Sequence, residues 1–151
     1  MHAAVLLAVS LVFAAPAGEA PPTVDGLEYA QSLSHGFWLV MVAERVKGGF
    51  ESVAHYQHCY YEQRELGKCN RLFVSPSGRF ALYDRPETAA VSFFDTRTGE
   101  ITTAAPKNSG VLGYVTWSES EGLVTFTTGG LSSSAAHAFS FKFPRRPSSG
   151  T

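Results

Sequence analysis

Residues 70–104, NRLFVSPSGRFALYDRPETAAVSFFDTRTGEITTA, alternate apolar and polar positions in short runs, the period of two that places successive side chains on opposite faces of a strand. Each run ends where turn chemistry begins. Pro76-Ser77-Gly78, Arg85-Pro86-Glu87 and Asp95-Thr96-Arg97-Thr98-Gly99 supply the fixed φ of proline, the free φ of glycine and the side-chain acceptors that tight turns need. The pattern predicts a four-strand antiparallel meander.

On the N-terminal side the pattern changes. Asp25-x-x-Glu28 matches a capping box and predicts a short helix over residues 26–34, with Leu27, Ala30 and Leu33 on one side and Gly36 at its end. Phe37–Val46, FWLVMVAERV, is apolar on both faces before it becomes charged. It suits either a helix closed by Gly48 or a strand, and Phe37, Trp38, Val40 and Val42 favour the strand. Residues 50–61 then read as an alternating aromatic strand, with Tyr56, His58 and Tyr60 on one face and His55, Gln57, Cys59 and Tyr61 on the other.

Past a loop at 106–110 the meander repeats. An offset of 43 sets Ser118 on Ser75 and Leu123-Val124-Thr125-Phe126 on Phe80-Ala81-Leu82-Tyr83. A further strand follows in each copy, at 89–94 and at 135–143, the second after a loop at 129–134. A period of this size is that of a four-strand propeller blade. Phe73-Val74-Ser75-Pro76-Ser77-Gly78-Arg79-Phe80 and Phe94-Asp95-Thr96-Arg97-Thr98-Gly99-Glu100, with Trp117-Ser118 in the second copy, resemble the WD40-like periplasmic repeat: a strand, a Ser-Pro-Asp-Gly-type turn, a strand and an Asp-Thr-Gly turn. The chain departs from it at Ser77, where the repeat has Asp, and at Glu119-Ser120-Glu121, which lacks both the Pro and the turn Gly. The resemblance covers about half the chain and implies blade-like sheets, yet two such units are too few for a ring of about four to eight blades. The expected fold is therefore mainly β: an antiparallel meander of two blade-like sheets packed as a sandwich or an open roll, with further strands from residues 37–61 and one short N-terminal helix.

The N-terminus leads to the expectation that this domain is exported. An apolar run from Ala3 to Ala15 is followed by Ala15-Pro16-Ala17, the small-x-small pattern of a secretory cleavage site, so residues 1–17 are read as a signal peptide. The run is shorter than the about 20 apolar residues a bilayer span needs. No second such run follows, so the mature chain is expected to be secreted or periplasmic with no transmembrane segment. Residues 18–35 are expected to form a flexible leader and the short helix, 36–143 the antiparallel β domain, and 144–151 a flexible tail beside the basic cluster Lys142, Arg145 and Arg146. The net charge of −1 over 151 residues provides no field for nucleic acid.

Export also decides how Cys59 and Cys69 are read, since an oxidising compartment favours a disulfide. With strands at 55–62 and 68–75 joined by a turn at 63–67, the two cysteines face each other at about 4.5–5.5 Å between Cα atoms. Closing the 11-residue loop contributes about 2.7 kcal/mol on the chain-entropy model.

Motifs that carry chemistry are missing. There is no G-x-S-x-G elbow, phosphate-binding glycine loop, H-E-x-x-H or C-x-x-C. Asp25, Asp84 and Asp95 fall at separate turns or caps, where Asp has a structural reason to be. His55-Tyr56-Gln57-His58-Cys59 resembles a metal cluster only on paper. On a strand His55 and His58 lie on opposite faces, and His55 and Cys59 are about 13 Å apart, too far for one ion with ligands at about 2.0–2.3 Å. Ser132-Ser133-Ser134 stands near His137 in sequence without forming a triad. The reading is of a protein that acts by binding a protein or cell-envelope ligand, with no catalytic residue and no cofactor, and with Tyr56, Tyr60, Tyr61 and Trp117 as contact residues. The alternative is a small metal-binding protein or hydrolase at His55, His58 and His137. The chain is expected to be a monomer or to self-associate weakly through edge strands.

Overall fold

The structure, a computed structural model, describes residues 19–48, 52–129 and 136–144. The expected signal peptide, Arg145 and Arg146 of the tail, and Ser132-Ser133-Ser134 lie outside the described residues. Eleven strands follow in order among the described residues: β1 (Leu27–Ser34), β2 (Phe37–Val46), β3 (Ser52–Tyr61), β4 (Arg64–Lys68), β5 (Leu72–Val74), β6 (Phe80–Arg85), β7 (Ala90–Asp95), β8 (Ile101–Ala105), β9 (Val111–Ser118), β10 (Leu123–Gly129) and β11 (Ala136–Lys142). They form three antiparallel sheets, A (β1–β4), B (β5–β8) and C (β9–β11), and within each sheet strands adjacent in sequence pair. Among the described residues no helix is long and apolar enough to cross a membrane.

The mainly β, antiparallel expectation holds, and Phe37–Val46 is a strand. Three details differ. Residues 26–34 form β1 instead of a helix, in register with β2 from Leu27↔Val42 to Ser34↔Phe37. A capping box contributes about 1 kcal/mol, whereas a ten-residue partner strand pairs with the segment along its length through backbone hydrogen bonds, and Ser34, His35 and Gly36, all at positive φ, make the tight turn between the two. Residues 19–24 of the expected leader pack instead of floating: Pro22 is fully buried, and the Glu19 carboxylate accepts hydrogen bonds from the Gly36 N–H at 3.0 Å and the Ser32 hydroxyl at 3.1 Å. Finally, residues 27–68 build a whole sheet, so the blade-like units number three and not two.

The cysteines do form a disulfide, with Cα atoms 5.8 Å apart, although in another register than expected. The chain turns at Glu62-Gln63, so Tyr61 pairs with Arg64 and a bulge near buried Leu66 then sets Cys59 opposite Gly67. Cys69 donates its N–H to the Gln57 carbonyl at 3.0 Å and reaches Cys59 diagonally. Gly67, at φ +113, allows the bulge.

The three sheets stack in chain order. Phe37, Cys59, Leu66 and Cys69 of sheet A and its following link pack on Ala81, Tyr83 and Phe94 of sheet B. On the opposite face of B, Phe80, Leu82, Val91 and Phe93 pack on Leu112, Val124 and Phe126 of sheet C. Sheet B is thus covered twice, and every residue of β7 is buried. The outer face of A (Ala30, Trp38, Val40, Val42 and Tyr60) is joined by Val24 of the N-terminal segment.

Asp84 ties the stack together. It was expected at a turn or cap; it lies within β6, 1% exposed, because its carboxylate serves three backbone N–H groups from two separate segments. One oxygen accepts from the N–H groups of Asn70 and Arg71 at 2.9 and 2.8 Å, in the link from A to B, and the other from Leu112 N–H of β9 at 2.9 Å. A carboxylate with three charge-assisted hydrogen bonds is a tolerable interior residue; without them its burial would cost several kcal/mol, on the order of 3 or more.

Candidate binding cleft

Three of the four aromatic contact residues expected from sequence are structural. Tyr60 is buried with Trp38, and burial, with Glu65 nearby, pushes its hydroxyl pKa up. Tyr61 lies 4.9 Å from the Phe37 ring and 5.5 Å from Phe94 in the contact between A and B. Trp117 packs at 6.4 and 6.3 Å from Phe93 and Phe143. Tyr56 is half-buried, with the Lys68 ammonium 3.7 Å above its ring. Among the described residues the most open aromatic is instead Tyr114, 86% exposed on β9. Its position in an alternating strand carried no signal that distinguished it from a core residue.

The histidines are not brought together. His55 Nδ1 pairs with Glu28 at 2.7 Å on one face of sheet A. His58, buried on the other face, has Glu65 at 2.5 Å from Nδ1 and Glu44 at 3.3 Å from Nε2. His137 stands in sheet C opposite Thr128. Among the described residues no group of three His, Cys, Asp or Glu side chains is arranged to hold a metal ion. Beside His58 the space is shared with the Lys68 ammonium, 3.8 Å from Glu44.

A cleft of about 570 Å³ opens where the turns of sheet B meet sheet C. Its apolar floor is Phe80 and Phe143, whose rings lie 4.4 Å apart. Its walls come from the turn at 75–78, the turn at 95–99 and the start of the β9–β10 link, and each is fixed by local chemistry. Ser75, buried, accepts Gly78 N–H at its carbonyl (2.9 Å) and Phe80 N–H at its hydroxyl (3.1 Å). Gly78 has φ +76, and a Cβ there would collide with the His35 ring of the β1–β2 turn, so only glycine fits between the two turns. Glu119 reaches across from sheet C and accepts hydrogen bonds from the Ser77 N–H at 3.0 Å and the Ser77 hydroxyl. The Glu119-Ser120-Glu121 stretch that departs from the repeat thus became the joint between two sheets.

The second wall is charged. Arg79 donates Nε–H and Nη2–H to Asp95 at 3.2 and 3.0 Å and lays its guanidinium over the Phe80 ring at 4.7 Å. Asp95 also accepts from Arg97 N–H at 2.9 Å. Burial by itself would raise the Asp95 pKa, but the hydrogen bonds from Arg79 and the turn amides outweigh it and hold the carboxyl below its ordinary range. Arg97 is exposed on the cleft rim, and among the described residues its guanidinium makes no hydrogen bond or ion pair. The cleft therefore offers one neutralised cation, one free cation and an apolar floor. In the sequence Arg79, Arg97 and Glu119 stand only in repeat-like stretches and their turns; Ser77 and Glu119 are 42 positions apart, so nothing local announces their contact. Comparison with protein-family models, curated proteins and solved structures finds no match.

Proposed function

We propose that this chain is an exported β-sheet protein that acts by binding, and that it takes an anionic group of a protein or cell-envelope ligand into the cleft between sheets B and C. The observation that carries the reading is the free Arg97 guanidinium on the rim of a cleft of about 570 Å³ that is floored by Phe80 and Phe143. That volume falls in the range of about 300–1,000 Å³ typical of ligand sites, which pair an apolar lining with a few placed polar groups. A guanidinium that has no internal partner is free to make a bidentate contact with a carboxylate or phosphate. Export is supported by the Ala3–Ala15 run and by the Cys59–Cys69 disulfide. In this reading the chain is a variant of the WD40-like periplasmic repeat in which three sheets stack without closing a ring.

The test is a titration of the ¹⁵N-labelled chain with acetylated tetrapeptides that carry a hydrophobic residue beside a free C-terminal carboxylate. The amides of Ser77, Arg97 and Ser120 should shift with the carboxylate peptides and not with their amidated forms, and Arg97→Ala should abolish the response. If no cleft amide moves, or Arg97→Ala responds like the parent, the reading fails.

A further inference from the structure

The free edges of the three sheets are not alike. β1 carries two register shifts against β2, and β4, β8 and β9 carry one each against their partners; β5 is only three residues long. Bulges and short strands are the usual means by which an edge is kept from pairing with another chain. β11 has none of them. It holds seven unbroken pairs with β10, from Leu123↔Lys142 to Gly129↔Ala136. It contains no proline, and its single Lys or Arg, Lys142, is at its end. Among the described residues sheet C has three strands where A and B have four, so the far side of β11 lies against no strand.

We infer that β11 is a strand-pairing site that takes the β11 of a second copy, antiparallel and centred on Phe139. A two-fold axis there sets Phe139 against its counterpart, His137 opposite Phe141, Ala138 opposite Ser140, and Ala136 opposite Lys142. Like charges never meet: the two Lys142 residues are about 20 Å apart along the ribbon at ~3.4 Å per residue, beyond a screening length of about 8–10 Å. The half-buried Phe139 and Phe141, both on the face turned toward sheet B, each gain a cross-strand neighbour. The three-stranded sheet becomes six-stranded. One strand pair buries less than the about 1,000 Å² of a stable interface, so the dimer forms only at raised concentration.

Sedimentation of the full chain tests this from about 10 µM to about 1 mM, the range of a small interface. The apparent mass should double across the range, and the β11 amides should gain hydrogen-exchange protection in parallel. Ala138 and Ser140 are exposed on the outer face, so substitution there leaves the single-chain fold intact. Ala138→Lys with Ser140→Lys opposes lysines twice and should weaken the dimer about tenfold or more. Ala138→Lys with Ser140→Glu opposes unlike charges and should keep it. A parent chain that stays monomeric to the top of the range overturns the inference, and so does protection of β11 in the monomer, which would mean that another segment of the chain occupies the edge. Two variants that dimerise equally would overturn it as well.

Discussion

Sheets B and C are built on the same strand order and corresponding registers, yet they differ on one face. The offset of 43 read in the sequence maps β6 onto β10, and the pairing agrees: Ala81 faces Phe94 as Val124 faces Phe141, and Leu82 faces Phe93 as Thr125 faces Ser140. Ala81 and Tyr83 pack on the preceding sheet A, just as Val124 and Phe126 pack on B. The other face of B, with Phe73, Leu82 and Phe93, packs on the following sheet. Its counterparts in C are Thr116, Thr125 and Ser140, all exposed. A row of hydroxyls is satisfied by water and would lose those hydrogen bonds under another sheet. Among the described residues no sheet covers this face of C, and its composition is that of the polar outer surface which terminal units of repeat arrays present.

The sharpest way to break the comparison is to substitute the same position in both sheets. Leu82→Ala should cost about 3–5 kcal/mol, because it opens a cavity between two sheets, while Thr125→Ala should stay within about 0.5 kcal/mol. Urea unfolding measures both, and similar losses would mean that the two faces are not used differently. Next in size is the pair Asp84 and Thr127. Asp84 serves three N–H groups across sheet boundaries, whereas Thr127 accepts one, from Tyr114 within its own sheet. Asp84→Ala is expected to lose about 2–3 kcal/mol and Thr127→Ala no more than about 1. The smallest effect is in acid. The Asp95 carboxyl titrates lower in the folded chain than in the unfolded one, so its contribution is complete above the ordinary carboxylate range and fades as pH falls through the folded value. Asp95→Asn should lower stability at pH 7 and flatten part of the decline toward pH 3. Its counterpart in C, Lys142, faces Leu123 as Asp95 faces Phe80, and Lys142→Gln should leave that acid profile unchanged.

Legibility along the chain follows how local the deciding chemistry is. The turns at 75–78 and 95–99 were readable because proline, glycine and aspartate act within four or five residues. The disulfide was readable as a pair, but its register was not, since the bulge at Leu66 depends on that side chain entering the core between A and B. At β1 the capping box misleads because it is a local signal while β2 is a partner across a turn. The cleft was invisible for a related reason: Arg79 and Arg97 look like turn residues until Glu119 and Phe143 are brought to them by the packing of C on B. Three of the four aromatics expected as contacts pack instead, because an alternating strand states which side chains share a face and not which face is covered.

By itself, then, the amino-acid sequence determined the antiparallel strands of the meander, its turns at 75–78 and 95–99 and the cysteine partners, all of which follow from dihedral preference and period along one stretch of chain. Tertiary structure alone decided that three sheets stack, that Asp84 sits at the centre of them, and that, among the described residues, B is covered on two faces and C on one. Those outcomes depend on which distant surfaces exclude water from one another, and that choice is made only when the whole chain competes for the same buried area.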